Sequence, residues 1–324
     1  MHNNNRVTLS CILPVFNEEA GIAAFLKALN QQLMTIGLCY EIIVVDDGSR
    51  DKTVDRVEAF SAGEHSVHLV TLSRNFGKEA ALTAGLDASS GDAVILMDAD
   101  FQHPIEVIPQ FIEYWKQGYD MVYGVRQDRA EESFLKRKGA AAFYNMMCYS
   151  TGVSIPANAG DFRLMSRRVV ESIKLLPERA RFMKGIYAWV GFGSIGITFE
   201  VQERFSGTSQ WSYRKLANLA LTGITSFTTF PLRIMAWFGL LVSLISFLYA
   251  FFIISKTLVL GSILPGWPTV ITAITFFGGI QLLSLGVLGE YVAGIFAEVK
   301  KRPLYIVKKR GNHSSVVVDN AQNY

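Results

Sequence analysis

Two aspartates one residue apart, Asp98 and Asp100, close an apolar run in the stretch VILMDADFQHP (94–104), with Gln102 and His103 just beyond. Carboxylates so spaced at the end of a strand can share a hard divalent cation, and Mg²⁺ in particular uses one or two carboxylates together with substrate phosphates. A metal held there would offset the charge that develops on a leaving nucleoside diphosphate. An Asp-x-Asp alone occurs by chance in many loops; its place after a continuous apolar strand is what makes it a candidate. A second stretch, IIVVDDGSRDKT (42–53), also ends an apolar run in acids. Asp46 and Asp47 can accept hydrogen bonds from a base or ribose edge, and Gly48 permits a tight turn. In isolation this piece reads better as a turn capped by Asp and Ser; with the first strand end beside it the case changes. LPVFNEE (13–19) puts Asn17 and Glu18 at a third strand end.

The elements that must position these residues follow from periodicity. Short β-branched runs at 8–15, 41–46, 67–73, 93–98 and 120–125 alternate with amphipathic stretches, the pattern of a parallel sheet flanked by helices. Between the first two runs, Ile22, Phe25, Leu26, Leu29 and Leu33 recur at helical spacing within 19–36. In open α/β sheets ligands bind beyond the carboxyl ends of strands, which directs attention to the three acidic strand ends.

The second half is different. Half of the 324 residues are hydrophobic, enough for a full core with apolar sequence left over for a bilayer. Residues 216–232 carry no charge but many Thr and Ser, and read as helix lying in the membrane interface. Residues 234–255 and 269–289 are uncharged and long enough to cross the hydrocarbon core, joined by a connector bearing Gly and Pro at 261–268. Arg214, Lys215 and Arg233 precede this hairpin and Lys300, Lys301, Arg302, Lys308, Lys309 and Arg310 follow it, which predicts both termini on the cytoplasmic side. The polar start, residues 1–6, lacks the features of a secretory signal. The expected organisation is a catalytic domain at 1–212, interfacial helices at 213–232, two transmembrane helices within 233–296, and a C-terminal strand, near 303–307, with a tail within 297–324. A formal charge of +3 without a basic, aromatic-interleaved stripe excludes nucleic acid as a partner. The three cysteines stand in no metal or disulfide spacing and read as packing residues of a reducing compartment.

Six motifs in fixed order carry a resemblance: LPVFNEE (13–19), VVDDGSRDKT (44–53), LSRNFGKEAALTAGL (72–86), DADFQHP (98–104), GDFRLMSR (160–167) and GVLGEY (286–291). Together they resemble the inverting glycosyltransferases of family 2, with the α/β nucleotide-binding fold called GT-A. Within that family they are most similar to the branch that makes polyprenyl-phosphate sugars, the dolichol-phosphate mannose synthases and bactoprenol glucosyltransferases. The resemblance covers nearly the whole chain, from about Leu9 to Val307.

It implies transfer of a hexose, most readily from UDP-glucose, to undecaprenyl phosphate with Mg²⁺ or Mn²⁺, at the bacterial inner membrane, supplying donor for cell-envelope glycan or O-antigen modification. It implies Pro14, Phe16, Glu18, Asp46 and Asp47 around the nucleoside, Lys78 near the nucleotide or diphosphate, and Asp98, Asp100 and Gln102 around the metal, with Asp98 also on the donor and Asp100 in the catalytic set. Asp161 corresponds to the position proposed as catalytic base, and Arg126, Arg137 and Arg204 to cations near the lipid phosphate, Arg204 also being counted as catalytic. A phosphomonoester is already mostly ionised near neutral pH, so Asp161 is expected to orient the acceptor or Arg163, or to take a residual proton. Lys184 and Trp189 could face the acceptor groove, and Glu290, an acid at the membrane edge, reads equally as functional or as a carboxylate snorkelling to the interface or pairing with a basic residue there, and stands outside the catalytic set. Relatives imply a homo-oligomer, as large as a tetramer, with 216–232 and 303–307 as subunit contacts. The alternatives are a processive polysaccharide synthase, against which the missing Gln-x-x-Arg-Trp signature counts, and a non-catalytic nucleotide-sugar-binding scaffold, against which the intact acidic residues count.

Overall fold

The computed structural model describes residues 7–126, 159–179, 181–200, 230–260 and 266–310. Arg137, Arg204, the basic run at 136–138, most of the expected interfacial segment and the tail lie outside them.

An eight-stranded sheet forms the centre, in the order β7-β5-β6-β4-β1-β2-β3-β8. Its strands are β1 (Leu9–Val15), β2 (Tyr40–Asp46), β3 (Val67–Leu72), β4 (Ala93–Leu96), β5 (Met121–Arg126), β6 (Ala159–Ser166), β7 (Ser194–Phe199) and β8 (Val307–Arg310). Pairs β1–β2, β1–β4, β2–β3 and β5–β7 are parallel. β6 runs antiparallel to both β4 and β5, and β8 antiparallel to β3. This is the mostly parallel α/β sheet expected for GT-A.

β1, β2 and β4 are buried along almost their whole length, which explains their uninterrupted apolar runs: a strand covered on both faces has no solvent side to alternate toward. Helices α1 (Ile22–Ile36), α2 (Thr53–Ser61) and α4 (Ile108–Lys116) cover one face, and α3 (Lys78–Ala88), α5 (Arg167–Lys174) and α6 (Met183–Trp189) the other. The buried stripe of α1 includes all five apolar residues picked from its periodicity. α3 is buried from Ala80 through Leu86 and packs so closely that a Cβ at Gly85 would lie 2.2 Å from Ile12 Cγ2.

The expected runs locate the first five strands to within one or two residues. β4 is shorter than its run and ends at Leu96, so Asp98 sits in the loop rather than on the strand. The C-terminal strand begins where the expected one ends, at Val307, and pairs β3 of the same chain.

Beyond the sheet stand two long helices, α7 (Phe230–Leu260) and α8 (Trp267–Val299). The expected spans fall inside them. Among the described residues one stretch, Phe276–Val299, is long and apolar enough to cross a bilayer, and none of it is buried in protein; Ile234–Ser246 is a shorter apolar stretch. The end of α8 is fastened to the globular part: the Arg179 backbone N–H donates to Glu298 Oε1 at 2.7 Å, and Arg179 Nε to the Arg302 carbonyl at 2.7 Å.

Candidate active site

The carboxyl ends of β1, β2, β3 and β4 gather the acidic motifs, and their loops are cross-linked. Asn17, in the left-handed conformation at φ 55, donates its backbone N–H to Ser49 Oγ at 2.9 Å and accepts that of Arg50 on Oδ1 at 2.9 Å. Glu18 N–H donates to Thr53 Oγ1 at 2.9 Å. The first strand end is thereby zipped to the second. Pro14 lies inside β1, Phe16 is exposed just beyond it, and Asp46 closes β2, buried, with both carboxylate oxygens accepting the Ser49 N–H at 3.2 Å. Burial pushes the Asp46 carboxyl above its usual range, against the pull of the Ser49 hydrogen bonds.

Asp47 reaches the other way. Its two oxygens accept the backbone N–H groups of Phe76, at 2.7 Å, and Gly77, at 2.9 Å. Gly48 adopts φ 73, and a Cβ there would lie 2.5 Å from the Arg74 carbonyl carbon, so only glycine lets these loops touch. The consequence is a fixed start for α3, whose first residue is Lys78.

Lys78 is the centre of the arrangement. Its Nζ lies 2.6 and 2.9 Å from the two oxygens of Asp98 and 2.9 Å from Asp161 Oδ2. Because β6 runs antiparallel to β4, its beginning, with Asp161, arrives at the end where β4 delivers Asp98. Two carboxylates from distant motifs thus share one ammonium. That ammonium is raised well above the usual lysine range, the two aspartates outweighing burial. Burial alone would raise Asp161; the charge and hydrogen bond of Lys78, with Lys184 and Arg163 behind, hold it instead at about 2.

The Asp98 loop is also anchored. Asp98 N–H donates to His103 Nδ1 at 3.1 Å, which puts the imidazole proton on Nε2. His103 is buried, stacks on Phe162 at 4.9 Å between ring centroids, and burial holds its pKa below the usual value. Asp100 Oδ1 accepts the Gln102 N–H at 3.1 Å, and Phe101 takes the left-handed φ of 63 that lets the turn close. Arg126 ends β5, half-buried.

Behind Asp161 lies a buried polar group of which the sequence singled out Arg163 but neither Glu79 nor Tyr187. Arg163 donates from Nη2 to the Gly160 carbonyl at 2.6 Å and lies 3.5 Å from the centroid of the Tyr187 ring. Glu79 accepts the Met183 N–H at the start of α6, and burial, reinforced by the nearby charge of Asp161, pushes its carboxyl up to about 8. Glu79 Oε2, Arg163 Nε and Tyr187 Oη are buried with no hydrogen-bond partner among the described residues. Glu79 and Arg163 stand in quoted motifs, but nothing in their spacing marks them as neighbours. Lys184 contributes charge near both Glu79 and Asp161, whereas Trp189 is exposed.

Among the described residues there is no cluster of three or more acidic, His or Cys side chains that could hold a metal unaided. Asp98 and Asp100 are nevertheless hard oxygen donors, and an ammonium already lies against both oxygens of Asp98. This donor set fits a Mg²⁺ or Mn²⁺ ion that arrives with phosphate oxygens and completes its shell with them.

Residues 10–174 match the model of glycosyl transferase family 2. The chain belongs to that family. It is a glycosyltransferase, and its relatives are alike over nearly their full length. It is 49% identical over 306 residues to a prophage-derived bactoprenol glucosyl transferase of Shigella flexneri, covering 94% of this chain and 99% of that one. It is 46% identical over 301 residues to an uncharacterised glycosyltransferase of Synechocystis, covering 93% and 95% of the two chains. A solved glucosyl-3-phosphoglycerate synthase of Mycobacterium tuberculosis, in complex with Mn²⁺, UDP and phosphoglyceric acid, is similar at 21% identity with a TM-score of 0.45, covering 67% of this chain and 77% of that one.

Proposed function

We propose that this glycosyltransferase moves a hexose, with inversion, from a nucleotide-sugar to undecaprenyl phosphate, and that UDP-glucose is the donor. The observation that carries the reading is the Asp98–Lys78–Asp161 cluster at the strand ends of a chain that also has a long, unburied apolar helix. Relatives named for bactoprenol glucosyl transfer, similar over both parts, support it. A long polyprenyl tail stays in the bilayer, so only its phosphate reaches a site, and a site tethered at the interface meets it there.

In this reading Pro14, Phe16, Glu18, Asp46 and Asp47 form the nucleoside side, Asp47 acting through the loop it fixes ahead of Lys78. Asp98, Asp100 and Gln102 would hold the metal, which would supply charge compensation for the leaving group. Lys78 lies beside Asp98, where its ammonium can pass from carboxylate to phosphate. Arg126, Arg137 and Arg204 receive the lipid phosphate, since two anionic groups must meet and need cations between them. Asp161, held at about 2, is a poor acceptor for a phosphate proton whose pKa is near 6. We therefore assign it to orientation of Lys78 and the acceptor. α7 and α8 form the membrane hairpin of a multi-pass inner-membrane enzyme, with the catalytic domain and both termini cytoplasmic, assembled as a homo-oligomer.

The test is transfer of radiolabelled sugar from a panel of UDP-sugars and GDP-mannose to undecaprenyl phosphate by purified protein, with EDTA, Mg²⁺ or Mn²⁺. Metal-dependent labelling of the lipid by one donor is expected. Labelling of a growing glycan would favour the processive synthase, and nucleotide binding without any transfer the scaffold.

A further inference from the structure

The segment after α8 does not leave the catalytic domain. Tyr305 is buried and donates its hydroxyl to Asp87 Oδ2 at 2.7 Å, and the Ile306 carbonyl accepts the Ser73 N–H at 2.8 Å. β8 then adds to the edge of β3, beside the proposed nucleoside side of the site.

The pairing is irregular at one point. Leu72 stands opposite Val307 and Thr71 opposite Lys309, so Lys308 is the extra residue of a bulge. A bulge leaves one residue out of the ladder and re-aims its side chain, and such irregularities are frequent beside active sites. Here Lys308 lines a cavity of about 600 Å³ together with Phe16, Asp46, Ser49, Thr71 and Arg74. Its neighbour Lys309 is engaged with Glu58 at 2.8 Å, whereas Lys308 forms no ion pair with a described residue. The same cavity wall holds Thr71, 8% exposed, whose hydroxyl has no hydrogen-bond partner among the described residues. An aromatic ring, a buried carboxylate, and a hydroxyl and an ammonium without partners among the described residues therefore border one space. That combination suits a flat heterocycle with a ring N–H beside a carbonyl, since a carboxylate accepts the N–H and an ammonium donates to the carbonyl.

We propose that Lys308, supplied by the strand that follows the membrane helices, binds the nucleobase of the donor and closes the nucleoside pocket. This rests on the nucleotide-sugar reading above and extends it: the base site is shared between the first acidic strand ends and a segment more than two hundred residues later in the chain. An apolar helix and a nucleotide pocket are then mechanically continuous through α8, Tyr305 and β8.

Titration calorimetry on the full-length protein in detergent, with UMP and with UDP, tests it. Lys308→Met is expected to weaken both nucleotides by about 10- to 150-fold and to the same extent, the loss typical of one charge-assisted hydrogen bond. Lys308→Arg should recover most of the affinity. In the transfer assay the KM for donor rises while kcat and the KM for lipid phosphate hold. UMP affinity within twofold of the parent overturns the proposal, as does a loss confined to UDP, which would put Lys308 on the distal phosphate. Parent protein that binds neither nucleotide would overturn both this and the donor reading; binding that Lys308→Met leaves untouched overturns this one alone.

Discussion

Replacing Lys78 with Met removes one charge and keeps most of the side-chain volume, which isolates the ammonium shared by Asp98 and Asp161. Two routes give the cost. Breaking a buried ion pair by removing one partner costs about 3–5 kcal/mol. Here the side chains of Lys78, Asp98 and Asp161 are 39%, 29% and 18% exposed, so solvent screening brings the figure to about 2 kcal/mol. The Asp161 carboxyl, held at about 2 instead of 3.8 although burial would raise it, carries a net stabilisation of its ionised form of the same order, about 2 kcal/mol. A loss of about 2 kcal/mol at pH 7 is expected. The sign of the pH dependence follows from the depressed carboxyl: its stabilisation is complete above 3.8 and lost as pH falls through about 2. Chemical unfolding of parent and Lys78→Met in the same detergent at pH 7 and pH 2.5 should show a gap that narrows in acid. Equal stability at pH 7, or a gap as large in acid, would refute the shared-ammonium account. Turnover of the variant should fall at least tenfold, since the diphosphate loses the ammonium that the reading places beside it.

The buried Glu79 carboxyl, pushed up to about 8, favours its protonated form in the fold, so the parent should lose stability as pH rises from 4.5 toward 8. Glu79→Gln should flatten that dependence in a thermal-shift series, and an unchanged slope would place the titration elsewhere. Asp161→Asn keeps the shape but weakens the hold on Lys78, with an expected fall in kcat of about ten- to a hundredfold and no change in its pH profile. Nearly full turnover at saturating lipid phosphate would remove Asp161 from the site. Asp98→Asn and Asp100→Asn should each raise the Mg²⁺ concentration needed for half-maximal transfer by tenfold or more while UMP binding is retained; loss of UMP binding as well would point to collapse of the loop. Asp47→Ala strands the Phe76 and Gly77 N–H groups, at about 1–3 kcal/mol, and should lower thermal stability and raise the donor KM together.

How much of this was legible in the sequence depended on the range of each interaction. Strands covered on both faces write their burial as continuous apolar runs, and α1 writes its single buried stripe at helical spacing; both signals are local, so β1, β2 and α1 were placed nearly to the residue. The acidic strand ends were legible for the same reason, because chain direction alone carries Asp46 and Asp98 to one edge of a parallel sheet. What residue types cannot express is which way a side chain turns once there. Asp46 and Asp47 are adjacent and chemically identical. Yet one closes a strand toward the nucleoside pocket and the other spends both oxygens on a loop thirty residues away, because successive side chains leave a strand in opposite directions. Long-range antiparallel additions are harder still. β6 brings Asp161 to Asp98 only because it reverses direction against β4, and β8 reaches β3 only after two long helices have intervened. Neither reversal leaves a periodicity to read. The bulge at Lys308 follows from the same limit: VKKR is an unremarkable basic tetrapeptide until Thr71 and Leu72 fix its register. A site assembled across such distances is held by pairing rather than by motif, so substitutions that keep the charge of β8 but break its register should damage donor binding as surely as changes at Asp46. Ser73→Pro, which removes the N–H donated to the Ile306 carbonyl where β8 joins β3, is expected to raise the donor KM while Lys308 itself remains in the chain. A donor KM unchanged in that variant would mean that β8 is only an edge cover.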